Sequence, residues 1–546
     1  MVDGPRPLIL IRGFGGADVQ DEQRDAYQGF NNGTVYPERR GENYIYEGFV
    51  LRALKSTRYP YRDATNVVSY YPQEVPAPPE HDGWPEGLLR GTVAVDVPMA
   101  RQVLAGGISG TLWVYRYYDL RPRTIECYGK GLARLIDIIR QGAERVNEEF
   151  AGVDIVAHSM GGLVARAALT QMGSKSEELI HRIVTLGTPH RGIAFQRLPH
   201  WLVGSLPKAD AAADELAAFN PDGTGFLKIP FSSRKILTVV GTDYRAYGAK
   251  AASSGNRIST LLDEGTLSYN RSDGLVKQAS AQLPGAPRTF IHKCHGGRDS
   301  LATSREAYEI AMRFFHGTRH VQLWLDRAKV RRGKDLFGRS EFYLGVCVKP
   351  RYVDFEIFHQ SPEAENCYGP FRRDDFTDDL PELAQELSLP LSASGDDTTG
   401  WAGPDRLIWE GWIDGSCKPA GVVDESLVFR LDVYVGERDA FGIGFFDNVV
   451  FRKQYYVQAV PGDAGEAPTL YLHTGERFLA PDVTTDALEA AARGTDPAVK
   501  KLEPSKETSA TWAFSVAGSG FDADLSVSIT DVVHAQQRAS EAAPVA

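Results

Sequence analysis

Two hydrophobic patterns divide this chain. Up to about residue 317, short apolar runs alternate with stretches of helical period. Pro7–Ile11, Thr111–Asp119, Val153–Ala157, Ile183–Leu186 and Lys235–Asp243 are runs rich in β-branched residues. Such runs suit strands buried on both faces. Amphipathic helices are predicted from about Gly131 to Glu149, over Leu163–Leu169 and over Leu301–Phe315. Strand and helix in alternation imply a parallel sheet flanked by helices. After about Thr318 the period changes to two, in Val321–Leu325, Phe342–Val348, Leu427–Val435, Val449–Val457 and Ala510–Val516. Short alternating strands with turn-rich spacers predict an all-β sandwich. The expected organisation is therefore an α/β unit over 1–317 and a β-sandwich over 318–546. Insertions are expected at about 17–110 and 192–231. Residues 376–403 and 461–510 read as irregular Asp/Pro/Gly/Ala-rich stretches, and the tail from about Gln536 as disordered.

One junction carries candidate chemistry. Val153-Asp154-Ile155-Val156-Ala157-His158-Ser159-Met160-Gly161-Gly162 runs from a β-branched strand into a helix-forming segment through a small-x-Ser-x-Gly turn. A strand-to-helix turn this tight leaves the serine alone at its tip, which is the form of a nucleophile elbow. Small residues are needed two places either side of it, and Ala157 and Gly161 supply them. Ala157 replaces the more usual glycine. An elbow also needs an oxyanion hole, an acid and a histidine. Arg12-Gly13-Phe14-Gly15-Gly16 follows the first strand, where flexible glycines let a backbone N–H turn toward a substrate carbonyl. Arg12 stands where His is more usual. The amides of Phe14 and Met160 are the candidate oxyanion donors, and a well-aimed donor is worth about 3–4 kcal/mol of transition-state stabilisation.

Downstream, Gly187-Thr188-Pro189-His190-Arg191-Gly192 follows another strand, and Ser272-Asp273-Gly274-Leu275-Val276 lies further on. With the Ala-His-Ser-Met-Gly-Gly turn, this ordered set resembles the lipase and esterase branch of the α/β-hydrolase superfamily. The Asp-Gly-Leu-Val segment is similar to the one that carries the catalytic acid in bacterial triacylglycerol lipases. The resemblance covers about residues 5–317. It implies an α/β-hydrolase core with a lid over about 192–231, and Asp273 as the acid. Asp243, at the end of the strand before it, is the rival acid, because strand ends in such sheets also hold catalytic groups. His295 is the candidate base, in a loop opening from Arg288–Ile291, with His292 as its rival. The order Ser, Asp, His is that of the α/β-hydrolases. His158 and His190 read as structural. The activity implied is hydrolysis of carboxylic esters, with an ester or lipid as partner and no cofactor or metal. Contact with a lipid surface through the lid or the sandwich is a further expectation. An acyl transferase, a polyester depolymerase or an amidase would use the same groups. A non-catalytic binder on the same fold belongs to a different class.

Composition changes this picture little. Of 546 residues, 42% are hydrophobic and 24% charged, as in an ordinary globular protein, and the length suits more than one domain. The net charge is −11, unevenly shared. Residues 1–320 hold 38 Lys+Arg against 34 Asp+Glu, and the remainder 22 against 37. The acidic second half argues against nucleic acid as its partner. Leu8–Ile11 is too short for the apolar core of a secretion signal. Five widely spaced cysteines (Cys127, Cys294, Cys347, Cys367, Cys417) form no CxxC pair. They fit reduced thiols and a cytoplasmic location better than a disulfide framework. Asp335–Tyr343 looks like the opening of a C2 domain, a β-sandwich that often binds calcium and lipid.

Overall fold

In a computed structural model the described residues are 4–13, 30, 34–35, 43–44, 48–68, 95–190, 231–243, 272–330, 340–371, 407–439 and 448–532, apart from brief interruptions within them. Two compact units divide the chain. The first comprises residues 1–287 and 293–311, the second 288–292 and 312–546.

A six-stranded sheet is built from β1 (Leu8–Ile11), β2 (Leu112–Tyr115), β3 (Val153–His158), β4 (Ile180–Leu186), β5 (Ile236–Gly241) and β6 (Arg288–Ile291), in the order β2-β1-β3-β4-β5-β6. The pairs β1–β2, β1–β3, β3–β4 and β4–β5 are all parallel. Every residue of β1, β2, β3 and β5 is buried. That explains the continuous apolar runs, since a strand covered on both faces has no side to leave polar. The helices of this part are α1 (Phe49–Lys55), α2 (Val97–Ala105), α3 (Ile125–Arg145), α4 (Met160–Met172) and α5 (Arg305–His316). Leu132, Leu135, Ile136 and Ile139 of α3 join Ile9, Trp113, Ile155 and Val164 in one apolar core.

Helix α3 starts six residues earlier than its hydrophobic period predicts. Thr124, in extended conformation, accepts a hydrogen bond from the Cys127 amide at 3.1 Å and so caps the helix. The cap is a polar signal that an apolar period does not register. α3 and α4 cross closely at Gly129, where a Cβ would lie 2.6 Å from the Ala167 Cβ and 2.8 Å from its backbone carbon.

The second unit holds two antiparallel sheets, in agreement with the predicted all-β architecture. Its strands are β7 (Arg319–Val330), β8 (Ser340–Pro350), β9 (Phe358–His359), β10 (Tyr368–Phe371), β11 (Leu407–Ile413), β12 (Leu427–Asp439), β13 (Asn448–Val460), β14 (Thr469–His473), β15 (Val499–Leu502), β16 (Thr511–Ala517) and β17 (Phe521–Asp531). One sheet runs β9-β8-β12-β13-β14-β15, with β10 also paired to β8; the other runs β11-β7-β17-β16. Trp409 of β11 lies 6.3 Å from Phe429 of β12, and Phe451 of β13 lies 5.2 Å from Phe521 of β17, ring centroid to ring centroid. These pairs bridge the inner faces of the two sheets. The expectation that 461–510 is irregular is corrected: β14, β15 and a helix, α6 (Thr485–Arg493), lie there. Leu488 of α6 is buried with Tyr471, Phe478 and Val499 in a small apolar cluster, which orders a stretch of low average hydrophobicity. The segment 331–339, with most of the C2 resemblance, and nearly all of the expected lid at 192–231 lie outside the described residues.

Candidate active site

Strand β3 ends at His158, and α4 begins at Met160. Ser159 between them has φ 54° and ψ −129°, a left-handed conformation that L residues avoid. Its neighbours hold it there. The Ser159 amide donates to the Leu186 carbonyl at 2.9 Å, and its own carbonyl accepts from the Gly162 amide at 3.1 Å. The glycines around it leave no room for a side chain. A Cβ on Gly13 would stand 2.3 Å from the Ser159 Cβ, and one on Gly161 would stand 2.6 Å and 2.7 Å from the carbonyl oxygens of Ile11 and Arg12. Gly161 is thus required by the end of β1, which lies against it. On Gly162 a Cβ would meet the Thr188 side chain at 2.2 Å.

The loop after β6 carries His295, buried beside Ser159. His295 Nε2 and Ser159 Oγ are 2.8 Å apart. His295 Nδ1 and Asp273 Oδ2 are also 2.8 Å apart. The second carboxylate oxygen of Asp273 accepts from the amides of Leu275 (3.1 Å) and Val276 (2.7 Å). The backbone ties the pair as well, since the His295 amide donates to the Asp273 carbonyl at 2.8 Å. With both oxygens occupied, the carboxylate has one orientation, and it faces the imidazole. The structure therefore brings together Ser159, Asp273 and His295. A nucleophile bonded to a base, and the base to a buried acid, is the arrangement that activates a serine hydroxyl.

Residues 123–197 match the family described as "PGAP1-like alpha/beta domain". The first unit is an α/β-hydrolase domain of the lipase and esterase branch. Among solved structures, phospholipase PlaB from Legionella pneumophila overlaps the chain with TM-score 0.30 and 11% identity, over 82% of this chain and 91% of that one. The same phospholipase in complex with thio-NAD gives TM-score 0.27 and 10% identity, over 64% and 86%. Likeness at that level transfers no residue and no activity. No curated protein matches the chain in sequence.

The rival residues of the hydrolase domain lie elsewhere. His292 is exposed, one residue past β6. Asp243 touches the histidine loop through its backbone, its amide donating to the Lys293 carbonyl at 3.3 Å. Met160 opens α4 directly after the serine, so its amide is among those an α-helix leaves without an intrahelical partner. Phe14, the other candidate oxyanion donor, lies outside the described residues. The strand leading to it is braced by the Tyr117 hydroxyl, which donates to the Arg12 carbonyl at 2.9 Å.

Two residues of the site escape sequence reasoning. Gly187 and Gly241 sit at the ends of β4 and β5. A Cβ on Gly187, whose φ is 54°, would lie 2.7 Å from Asp273 Oδ2 and 3.1 Å from His295 Nδ1. One on Gly241 would lie 2.7 Å from the Asp273 Cβ. Both glycines make the space in which acid and base meet. The available signal was a repeat: each of these strands runs directly into Gly-Thr, at Gly187-Thr188 and Gly241-Thr242.

His190 is buried with Nε2 3.1 Å from Thr185 Oγ1, and its carbonyl accepts from Arg166 at 3.2 Å. Burial pushes its pKa well below the ordinary value, with the nearby Arg166 adding to the effect. Burial also lowers Arg166 to about 9. Among the described residues, no group of three or more His, Cys, Asp or Glu side chains is gathered as a metal would need, and no helix is long and apolar enough to cross a membrane.

Proposed function

We propose that the protein is a serine hydrolase of carboxylic esters, lipid esters among them, with Ser159 as nucleophile, His295 as base and Asp273 as acid. The observation that carries this is the continuous line of contacts from Ser159 Oγ through the His295 ring to Asp273, each of 2.8 Å. His295 Nε2 takes the serine proton as Oγ attacks the ester carbonyl. Asp273 accepts from Nδ1–H, fixes that tautomer and stabilises the imidazolium. The amides of Phe14 and Met160 receive the oxyanion. His295 then returns the proton to the leaving alcohol, leaving an acyl group on Ser159. Water, deprotonated by the same histidine, releases the acid. The hydrolase domain and its ordered motifs favour esters over amides.

The test pairs a serine-reactive fluorophosphonate with a series of p-nitrophenyl esters of increasing acyl length. Labelling at Ser159 and ester turnover are expected, and Ser159→Ala should lose both, with a rate loss of about 10⁴-fold or more. A folded protein that neither labels nor hydrolyses any ester of the series would instead be a binder on a hydrolase fold. Rates with and without a lipid interface separate a lipase from an esterase.

A further inference from the structure

We propose that His158, the residue before the nucleophile, is a positioning residue that holds the base in place through the main chain. This inference rests on the serine hydrolase reading above. His158 closes strand β3, and its Nε2 lies 2.8 Å from the backbone carbonyl oxygen of His295. A carbonyl only accepts, so Nε2 carries the proton and donates. The two rings lie 5.0 Å apart, inclined at 39°. Phe30 meets the His158 ring edge-on at 6.5 Å. His158 thus sits between the long insertion and the catalytic loop.

What this contact does follows from where His295 stands. It lies beyond the end of β6 and has no sheet ladder to fix its backbone. Its amide is held by the Asp273 carbonyl at 2.8 Å. Its carbonyl is held by His158. Main-chain donor and acceptor of the base are therefore both engaged, one by the acid and one by the residue adjoining the nucleophile. The second contact ties the base directly to the nucleophile's own strand, so base and nucleophile share one reference frame. The ring must be neutral for this, with a single proton on Nε2 and no charge beside the imidazolium that forms during turnover. Burial is the main cause holding its pKa down, to about 3, with proximity to His295 and Arg12 adding to it.

The experiment compares three variants on a soluble p-nitrophenyl ester, with Ser159→Ala as the reference for the chemistry itself. His158→Phe keeps the ring and removes the donor. Its kcat should fall roughly tenfold to a hundredfold, the penalty of a base misplaced by about an ångström, with KM nearly unchanged. The rate of fluorophosphonate labelling should fall in parallel. His158→Gln places an amide N–H near the position of Nε2 and should recover most of kcat. His158→Asn, whose amide stops short of the carbonyl, should behave like Phe and serves in its place should Phe not fold. Melting temperatures accompany each variant. Wild-type kcat in the donor-less variants overturns the inference, and so does an equal loss in Gln and Phe, which would make the site one of packing. Were Ser159→Ala as active as the wild type, the serine hydrolase reading would fall and take this inference with it. An inactive Ser159→Ala beside a fully active His158→Phe removes only the role of His158.

Discussion

At the residue scale the site is governed by close approach. Gly187→Ala places a methyl group 2.7 Å from Asp273 Oδ2 at a φ of 54°. Strain at such a backbone costs about 1–3 kcal/mol, and the carboxylate must also move from His295. The expected outcome is a lower melting temperature together with a loss of turnover far larger than the stability change explains, read from kcat and a denaturation curve. The acid is tested in the same way. Asp273→Asn should cripple turnover, because an amide cannot hold His295 in the required tautomer. Asp243→Asn should leave most of it, since the contact of Asp243 with the loop is made by its backbone. The reverse ranking in two folded variants would move the acid to Asp243. Buried histidines also set a pH dependence. The folded pKa of His158 is about 3 and that of His190 is depressed, both by burial, whereas an unfolded chain titrates near 6.5. Between these values the unfolded chain binds protons that the folded one refuses. Stability is thus full above about pH 6.5 and falls as the pH drops toward 3, by up to about 1.4 kcal/mol per pH unit for each group. Urea midpoints between pH 7 and 4 should show this slope, and His158→Gln should flatten it. An unchanged slope in that variant would mean that His158 is protonated in the folded protein.

Among the elements, the helices owe their placement to different features of the sequence. The cap of α3 is the Thr124 hydroxyl, and Thr124→Ala should cost about 1 kcal/mol with no effect on turnover. The crossing of α3 and α4 sets two effects against each other. Gly129→Ala gains about 1 kcal/mol of helix propensity. It also drives a methyl group to within 2.8 Å of the α4 backbone, which cannot rotate away as a side chain can. Overpacking of this kind costs about 1–3 kcal/mol, so the net change should be destabilising, as measured by chemical denaturation. A more stable variant would show that the two helices separate freely. The strands repay the same attention. Phe521–Asp531 alternates buried and part-exposed positions almost throughout, yet it went unread. Its small polar residues, Asp522, Asp524, Ser526 and Ser528, lower the average hydrophobicity of the run while leaving the period intact. Period is the better guide to such a strand, because burial follows the face and not the mean.

For the whole molecule, the boundary expected near residue 318 and the compact units differ in detail. Residues 288–292, which precede the catalytic histidine, group with the second unit, as do residues from 312 onward. A protein ending near Thr318 retains Ser159, Asp273 and His295, and should still turn over p-nitrophenyl acetate. Its melting temperature should drop, because segments 288–292 and 312–318 lose the rest of their unit. A folded truncation with no activity on this small ester would show that the second unit takes part in the chemistry. The sequence by itself determined the elbow, the buried parallel strands and the change to a two-residue period after about 318. Each of these is local: a tight turn needs small residues at set offsets, and a strand's burial is written in its own run of side chains. It also singled out Asp273 and His295 as candidates by their local context, beside Asp243 and His292. Only the tertiary structure decided which of these meet at 2.8 Å, because residues 159, 273 and 295 are brought together by the ends of different strands. It alone decided the work of Gly187 and Gly241, whose neighbour is an acid from a remote segment, and of His158, whose partner is a main-chain oxygen 137 residues away. A side-chain pattern does not encode a backbone acceptor, so such a contact is visible only once the chain has folded.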